Sequence, residues 1–384
     1  MFDLTLWMVG PWASMQLGAL GADVIHIEQP DVDPRTLGAG VPPTINGTSC
    51  GYIAWNMNKR GLFLDLKAEH DRETAYNVLR TSDVFLINMR PGAAERMGMG
   101  YERVAAINPN IIYCAITGWG EKGPMRDRPG ADPQVQYFSG FWSLNGQRGE
   151  RAEVYRHFTQ MDATSGNYAA QAVIMALLAR KRTGRGQRID LSMLRATAAL
   201  QTVGLSAHLA TGEVASPLGS AAFATAPDRA FRCLDGEWIG ISVTSEPQWA
   251  AFCTAIECPE LLDDPRFATN QSRVHHRSEL AALLEPRFAS LPRHHWILRL
   301  DDAGVPCGYP LTFDQLRHHA AVIENGYLPE VQTSGWGSVF TGGPPWQFER
   351  TPASWSGTPL PGEHTADILD EIAEAKRAPG SDGR

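Results

Sequence analysis

Asp162 stands directly before an apolar run, in Gln160-Met161-Asp162-Ala163-Thr164-Ser165-Gly166, and its type and place suit a nucleophile. Across residues 169–179 only Gln171 is not apolar, and Arg180-Lys181-Arg182 and Gly184 close the run, so it has the start and stop of a helix. An Asp at an N-cap position accepts backbone N–H bonds at the positive end of the helix dipole, which is expected to keep Asp162 ionised and its oxygens fixed. A fixed, ionised carboxylate can be a nucleophile. The same residue can also be nothing more than a cap.

The cations have their own pattern. Arg35, Lys59, Arg60, Arg90 and Arg96 fall just after expected strands or in the loops that follow, where parallel sheets bind ligands. Asn56-Met57-Asn58-Lys59-Arg60-Gly61 is a compact basic turn that suits phosphate by point charge and bidentate contact, or is a solvated turn. Asn88-Met89-Arg90-Pro91-Gly92 follows a strand, and its asparagine either meets amide groups of a ligand or closes the turn. Asp132, in Pro129-Gly130-Ala131-Asp132, is a turn residue or a second carboxylate near Asp162. His275-His276, His294-His295 and His318-His319 are adjacent pairs, which do not offer a metal the spacing that i, i+4 pairs do. Six cysteines without a C-x-x-C pair read as reduced thiols of a cytoplasmic protein, and no metal site is expected.

These residues need elements to hold them. Strand patterns at residues 4–9, 24–27, 62–66, 84–87 and 111–116 alternate with helix patterns at 11–20, 69–80 and 101–107, which predicts an α/β fold with a parallel sheet covered on both faces. A long helix beginning at Asp162, a strand at 187–192 and a helix at 194–209 continue the order. The Gly, Ala, Ser and Pro of residues 211–228 then read as a linker or loop. Beyond it Asp235-Gly236 marks a hairpin between strands at 230–234 and 238–243, and helices at 249–256, 278–289 and 293–303 make a separate α+β unit. A last helix is expected at 364–376. Gly10 and Gly18 to Gly21 do not spell the dinucleotide-binding G-x-G-x-x-G order.

With 384 residues, 43% hydrophobic and 20% charged, the chain is long enough for two domains of ordinary globular composition. A net charge of −8 argues against nucleic acid or an anionic membrane as the main partner. No basic and apolar leader opens the chain, and no stretch reaches the roughly 18 apolar residues a membrane span needs. A soluble, cytoplasmic protein is expected.

The whole chain resembles the class III CoA-transferase family (CaiB/BaiF type), which includes formyl-CoA and carnitine CoA-transferases and the related α-methylacyl-CoA racemases. The likeness is carried by Phe2-Asp3-Leu4-Thr5, Gly21-Ala22-Asp23-Val24, Asn58-Lys59-Arg60-Gly61, Leu64-Asp65-Leu66-Lys67 and Thr117-Gly118-Trp119-Gly120. It continues through Arg182-Thr183-Gly184-Arg185-Gly186-Gln187, Asp264-Pro265-Arg266-Phe267 and Pro361-Gly362-Glu363-His364-Thr365.

The resemblance implies that Asp162 is the catalytic aspartate. It would attack an acyl-CoA thioester to give a mixed anhydride, and an aspartyl-CoA thioester would then pass CoA to a free carboxylic acid. It also implies CoA contacts at Arg35, Asn58, Lys59, Arg60, Asn88, Met89 and Arg96, with CoA part of the substrate and no cofactor bound permanently. The implied fold is a large domain with a Rossmann-like parallel sheet, from residues 1–210 and 326–377. A linker at 211–225, a smaller α+β domain at 226–325, a flexible tail at 378–384 and an interlocked homodimer complete it. Two departures narrow the activity. Ala131 stands where racemases of the family have a histidine, which leaves no evident partner for proton transfer on two faces of an α-carbon. Ser216-Pro217-Leu218-Gly219-Ser220 replaces the glycine-run loop of formyl-CoA transferases, and Met8 replaces their glutamine. The alternatives to CoA transfer are an acyl-CoA racemase or isomerase and an inactive CoA-binding homologue.

Overall fold

The computed structural model describes residues 1–30, 42–154, 157 and 159–377. Arg35 and the tail 378–384 lie outside the described residues. The chain divides into two compact units. The first comprises Met1–Phe141, Val154–Glu213 and Ala321–Arg384, and the second Trp142–Glu153 and Val214–Ala320. Residues 142–153, grouped with the large domain on sequence grounds, thus cluster with the second unit.

In the first unit, β1 (Phe2–Leu4), α1 (Val9–Ala19) and β2 (Ile25–Glu28) lead to a two-residue-strand hairpin, β3 (Thr44–Ile45) and β4 (Thr48–Ser49). After α2 (Cys50–Trp55) come β5 (Arg60–Phe63), α3 (Glu69–Thr81), β6 (Val84–Ile87), α4 (Ala93–Arg96), α5 (Tyr101–Ile107) and β7 (Ile112–Thr117). Then follow α6 (Asp132–Phe138), α7 (Gln160–Thr183), β8 (Gln187–Ser192), α8 (Met193–Leu200) and α9 (Thr202–Thr211). The sheet is parallel, in the order β5-β2-β1-β6-β7-β8. The strand order reverses at β1 and β6, so the switch point where such sheets take ligands lies at their carboxyl ends. Val84 to Ile87 and Ile112 to Thr117 are buried throughout, as strands covered on both faces must be. One face packs Phe2, Phe85 and Tyr113 with α3, and the other packs Leu86, Ile112 and Cys114 with α1 and α7.

Two boundaries differ from expectation for local reasons. The strand expected at residues 4–9 ends at Leu4, because the chain turns sharply through Trp7 at φ 62° and enters α1 at Val9. The helix expected at 194–209 is two helices that meet at Gln201, whose side chain bonds to the carbonyls of Ser139 and Thr197.

In the second unit, β9 (Asp228–Arg232) and β10 (Trp238–Ser242) form the expected antiparallel hairpin, with Gly236 at φ 80°. The short β11 (Cys307–Gly308) extends it into a three-stranded sheet. Helices α10 (Glu246–Ala255), α11 (Asn270–His275), α12 (Arg277–Phe288) and α13 (Arg293–Asp302) bury Phe231, Phe252, Phe288 and Trp296 against it.

Candidate active site

The helix that carries Asp162 starts two residues earlier than its sequence suggests. Its N-cap is Thr159, whose side chain makes no capping bond, and Asp162 is the third residue of the first turn. The expectation that Asp162 caps its own helix is therefore corrected. The cap comes from Asp132, the first residue of α6, whose Oδ2 accepts from Met161 N at 2.5 Å and from Asp162 N at 3.2 Å. Its Oδ1 accepts from Gln136 Nε2 at 2.5 Å, one turn further along α6. Asp132 is 2% exposed, so this carboxylate is a fixed part of the interior, and the backbone of Asp162 hangs from it.

The arrangement also changes the charge expected on Asp162. Burial, and then the nearby Asp132 carboxylate, push Asp162 up to about 7, against an opposing hydrogen bond from Thr159. At neutral pH Asp162 is present in both protonation states, where the sequence suggested a fully ionised group.

Close packing holds α7 in register with α1. Gly166 makes this possible, since a Cβ there would lie 2.7 Å from the Val9 carbonyl oxygen and 2.9 Å from Trp12 Cδ1. Beside it Asn167 Oδ1 accepts from Trp12 Nε1 at 2.8 Å and from Gln16 Nε2 at 2.7 Å. On the next face Met161 packs with Val135 of α6 and Met193 of α8, and its sulfur accepts from Thr197 Oγ1 at 3.0 Å. We expect Gly166→Ala to cost about 1–3 kcal/mol, because the intruding methyl meets backbone that cannot yield cheaply. Calorimetry of the variant would show the loss, and an unchanged melting temperature would refute this account of the helix contact.

At the carboxyl ends of β1, β2 and β5 a cavity of about 160 Å³ is bordered by Trp7, Glu28, Tyr52, Lys67 and Met89. Glu28 is pinned there by Tyr52 Oη at 2.7 Å and the Gly362 N–H at 2.7 Å. Trp7, which borders the cavity, is 57% exposed and sits in the left-handed backbone region. Of the residues singled out from sequence, Met89 borders this cavity, and Arg90 and Arg96 are exposed in the segment that follows β6. Asn88 is spent on protein, since its Oδ1 accepts from Leu6 N at 2.8 Å and its Nδ2 donates to Leu6 O at 2.6 Å. Sequence reasoning missed Lys67, an exposed cation at this cavity, although Leu64-Asp65-Leu66-Lys67 stood out as a motif.

The basic turn is not a phosphate cradle in this structure. Lys59 is 5% exposed, and its Nζ lies 3.0 Å from Asp3 Oδ2 and donates to Asn56 Oδ1 at 3.0 Å. Asp3 also accepts from Ser14 Oγ at 2.6 Å and Thr5 Oγ1 at 2.5 Å, and His26 Nδ1 stands 3.2 Å away. Arg60 opens β5 at the amino end of the sheet, opposite the ligand edge, and pairs with Asp23 at 2.7 Å and Glu371 at 2.6 Å. Asn58, at φ 61°, donates to Ser354 O at 2.9 Å and accepts from Ser356 Oγ at 2.8 Å, which ties the turn to the returning C-terminal segment. Lys59, Arg60 and Asn58 are thus engaged with other protein groups. Among the described residues no group of three or more His, Cys, Asp or Glu could hold a metal ion, and no helix is long and apolar enough to cross a membrane.

Residues 1–365 match the family model described as CoA-transferase family III. The chain is 34% identical to the succinyl-CoA:glutarate CoA-transferase of Mus musculus over 372 residues, covering 96% of this chain and 84% of that one. It is 30% identical to the formyl-CoA:oxalate CoA-transferase of Streptomyces avermitilis over 383 residues, 95% of this chain and 92% of the other. The crystal structure of a CAIB/BAIF family protein from Brucella suis superposes with a TM-score of 0.82 at 30% identity, covering 97% of each chain.

Proposed function

This chain belongs to CoA-transferase family III and is an enzyme that transfers CoA, and we propose that it does so through a covalent intermediate on Asp162. The observation that carries this reading is the placement of Asp162. Its carboxylate stands in the first turn of a helix packed on the sheet, held through its own backbone N–H by Asp132 and titrating where both forms are present.

Ionised Asp162 attacks the thioester carbonyl of an acyl-CoA, the C–S bond breaks, and a mixed anhydride and CoA thiolate result. The thiolate attacks the aspartyl carbonyl of the anhydride, releasing the first acid and leaving an aspartyl-CoA thioester. An incoming carboxylate repeats the exchange in reverse and departs as the new acyl-CoA. No proton need be supplied, but the first step needs Asp162 without its own. Transfer is therefore expected to rise with pH through about 7, and a kcat profile falling through that range would contradict it.

We place CoA along the carboxyl edge of the sheet, with Met89 beside the pantetheine arm and Lys67, Arg90 and Arg96 toward the phosphates, a pattern of point charges that suits pyrophosphate. Succinyl-CoA with glutarate is the first donor and acceptor to try, by likeness to the mouse relative. The racemase alternative lacks its histidine, since Ala131 precedes Asp132. An interlocked cytoplasmic homodimer without a permanent cofactor completes the proposal. It is supported by α9, in which no residue is buried and Val203 and Leu209 are 66% and 81% exposed, an apolar helix that a second chain would cover. A folded species of monomer mass in size-exclusion chromatography, stable on dilution, would overturn the dimer.

The test of function is a mass-spectrometric screen of acyl-CoA donors against free acids in deuterated water. The expected result is CoA appearing on the acceptor acid with no deuterium at the α-carbon. Deuterium at the α-carbon without acid exchange would establish the racemase instead.

A further inference from the structure

We propose that Asp132 is a positioning residue for the transfer: its carboxylate holds the backbone of Asp162 from another helix and sets a second negative charge beside the nucleophile. This rests on the reading of Asp162 as the nucleophile.

A helix opens with N–H groups that have no partner within it, and the side chain of the α7 N-cap, Thr159, caps none of them. Asp132 Oδ2 takes up the Met161 and Asp162 N–H groups together, at 2.5 and 3.2 Å. Asp132 Oδ1 is held by Gln136 Nε2, so the carboxylate cannot rotate away without losing that bond as well. Val135 of the same helix packs on Met161, the residue before the nucleophile. Any movement of α6 is thereby passed directly to the backbone of Asp162.

The two carboxylates are held differently: Asp132 accepts two backbone N–H bonds, and its carboxylate adds to burial in raising Asp162. The charged group that acts on Asp162 among the described residues is Asp132. Around the start of α7, α1 and the Met8 that precedes it bring Trp12 and a thioether, and α8 brings Met193 and Thr197, all uncharged. One residue thus holds the backbone that aims the nucleophile and adds to the burial that raises the pH at which it is free to attack.

Asp132→Asn and Asp132→Ala separate the two roles. Asparagine keeps an oxygen that can accept both N–H bonds and, with the Gln136 amide turned over so that its oxygen meets the new NH2, loses only the charge, whereas alanine loses both. The readout is the Asp162 carboxyl resonance in full-length protein labelled with 13C-carboxyl aspartate, assigned with Asp162→Asn and followed through a pH titration. It is read alongside the pH profile of kcat with succinyl-CoA and glutarate and the melting temperature.

In Asp132→Asn the Asp162 titration is expected to move down from about 7 by roughly one to two units, with the kcat profile following and the melting temperature nearly kept. In Asp132→Ala the helix loses its cap, and kcat is expected to fall by roughly a hundredfold as the nucleophile loses its aim. An Asp162 titration that stays put in Asp132→Asn, with transfer lost in Asp162→Ala, overturns only the role given to Asp132. A titration that moves while Asp162→Ala transfers at full rate overturns the nucleophile reading, and the role of Asp132 with it.

Discussion

Asp162→Ala is expected to lower kcat for CoA exchange by roughly a thousandfold or more, because the variant removes the atom on which the intermediate forms. The loss should not come from unfolding. Asp162 is held above its ordinary range by burial and by Asp132, so its ionisation works against the folded state. A carboxyl whose folded value is raised supports the fold fully below its unfolded value, and that support is lost as pH rises through about 7. Asp162→Asn should therefore melt higher than the parent at pH 8, with the gap closing toward acid, while it is as inactive as the alanine variant. Thermal melts at several pH values, paired with single-turnover kinetics on the same samples, would show this. An inactive but destabilised Asn variant would mean that Asp162 serves the fold and not the chemistry.

The second large effect is at Lys59, and it is an effect on stability. Its ammonium is fully buried 3.0 Å from Asp3 Oδ2. Burial alone would raise Asp3, yet the Lys59 charge, together with His26 and Ser14, holds its carboxyl well below the usual carboxylate range. Removing one partner strands the other charge, so Lys59→Met is expected to cost about 3–5 kcal/mol. Adding Asp3→Asn should recover part of that loss, since the uncompensated charge goes with it. Where the single variant is still folded, its KM for acyl-CoA should match the parent. A stable Lys59→Met with a raised KM would return Lys59 to the phosphate site where the sequence alone suggested it. The pH sense is opposite to that of Asp162: the depressed Asp3 supports the fold above its unfolded value and withdraws that support in acid.

These two residues show where the sequence was legible and where it was not. The parallel sheet could be read because strands buried on both faces are written as unbroken apolar runs, as in Val84-Phe85-Leu86-Ile87, with helices between them. Helix α7 could be read from its long apolar run and its closing Gly184 in the left-handed region, although Met175 and Leu178 of that run are exposed. Asp162 was visible as an acid at the start of that helix, because the signal is local. Its cap was not, since Asp132 arrives from a different helix and no periodicity connects the two. Lys59 and Arg60 misled in the same way. A basic turn looks the same whether its charges face solvent or meet Asp3, Asp23 and Glu371, and those acids lie far from it along the chain. Propensity and spacing record neighbours within a few turns. The partners that set charge, burial and aim in this molecule are brought in by the fold.

The claim that CoA moves by way of Asp162 is tested most directly by trapping. Full-length protein incubated with succinyl-CoA and hydroxylamine, then digested and mapped by mass spectrometry, should carry a hydroxamate on Asp162, with none formed when the donor is left out. CoA exchange at full rate with Asp162 unmodified, or a hydroxamate on a different carboxylate, would contradict the account.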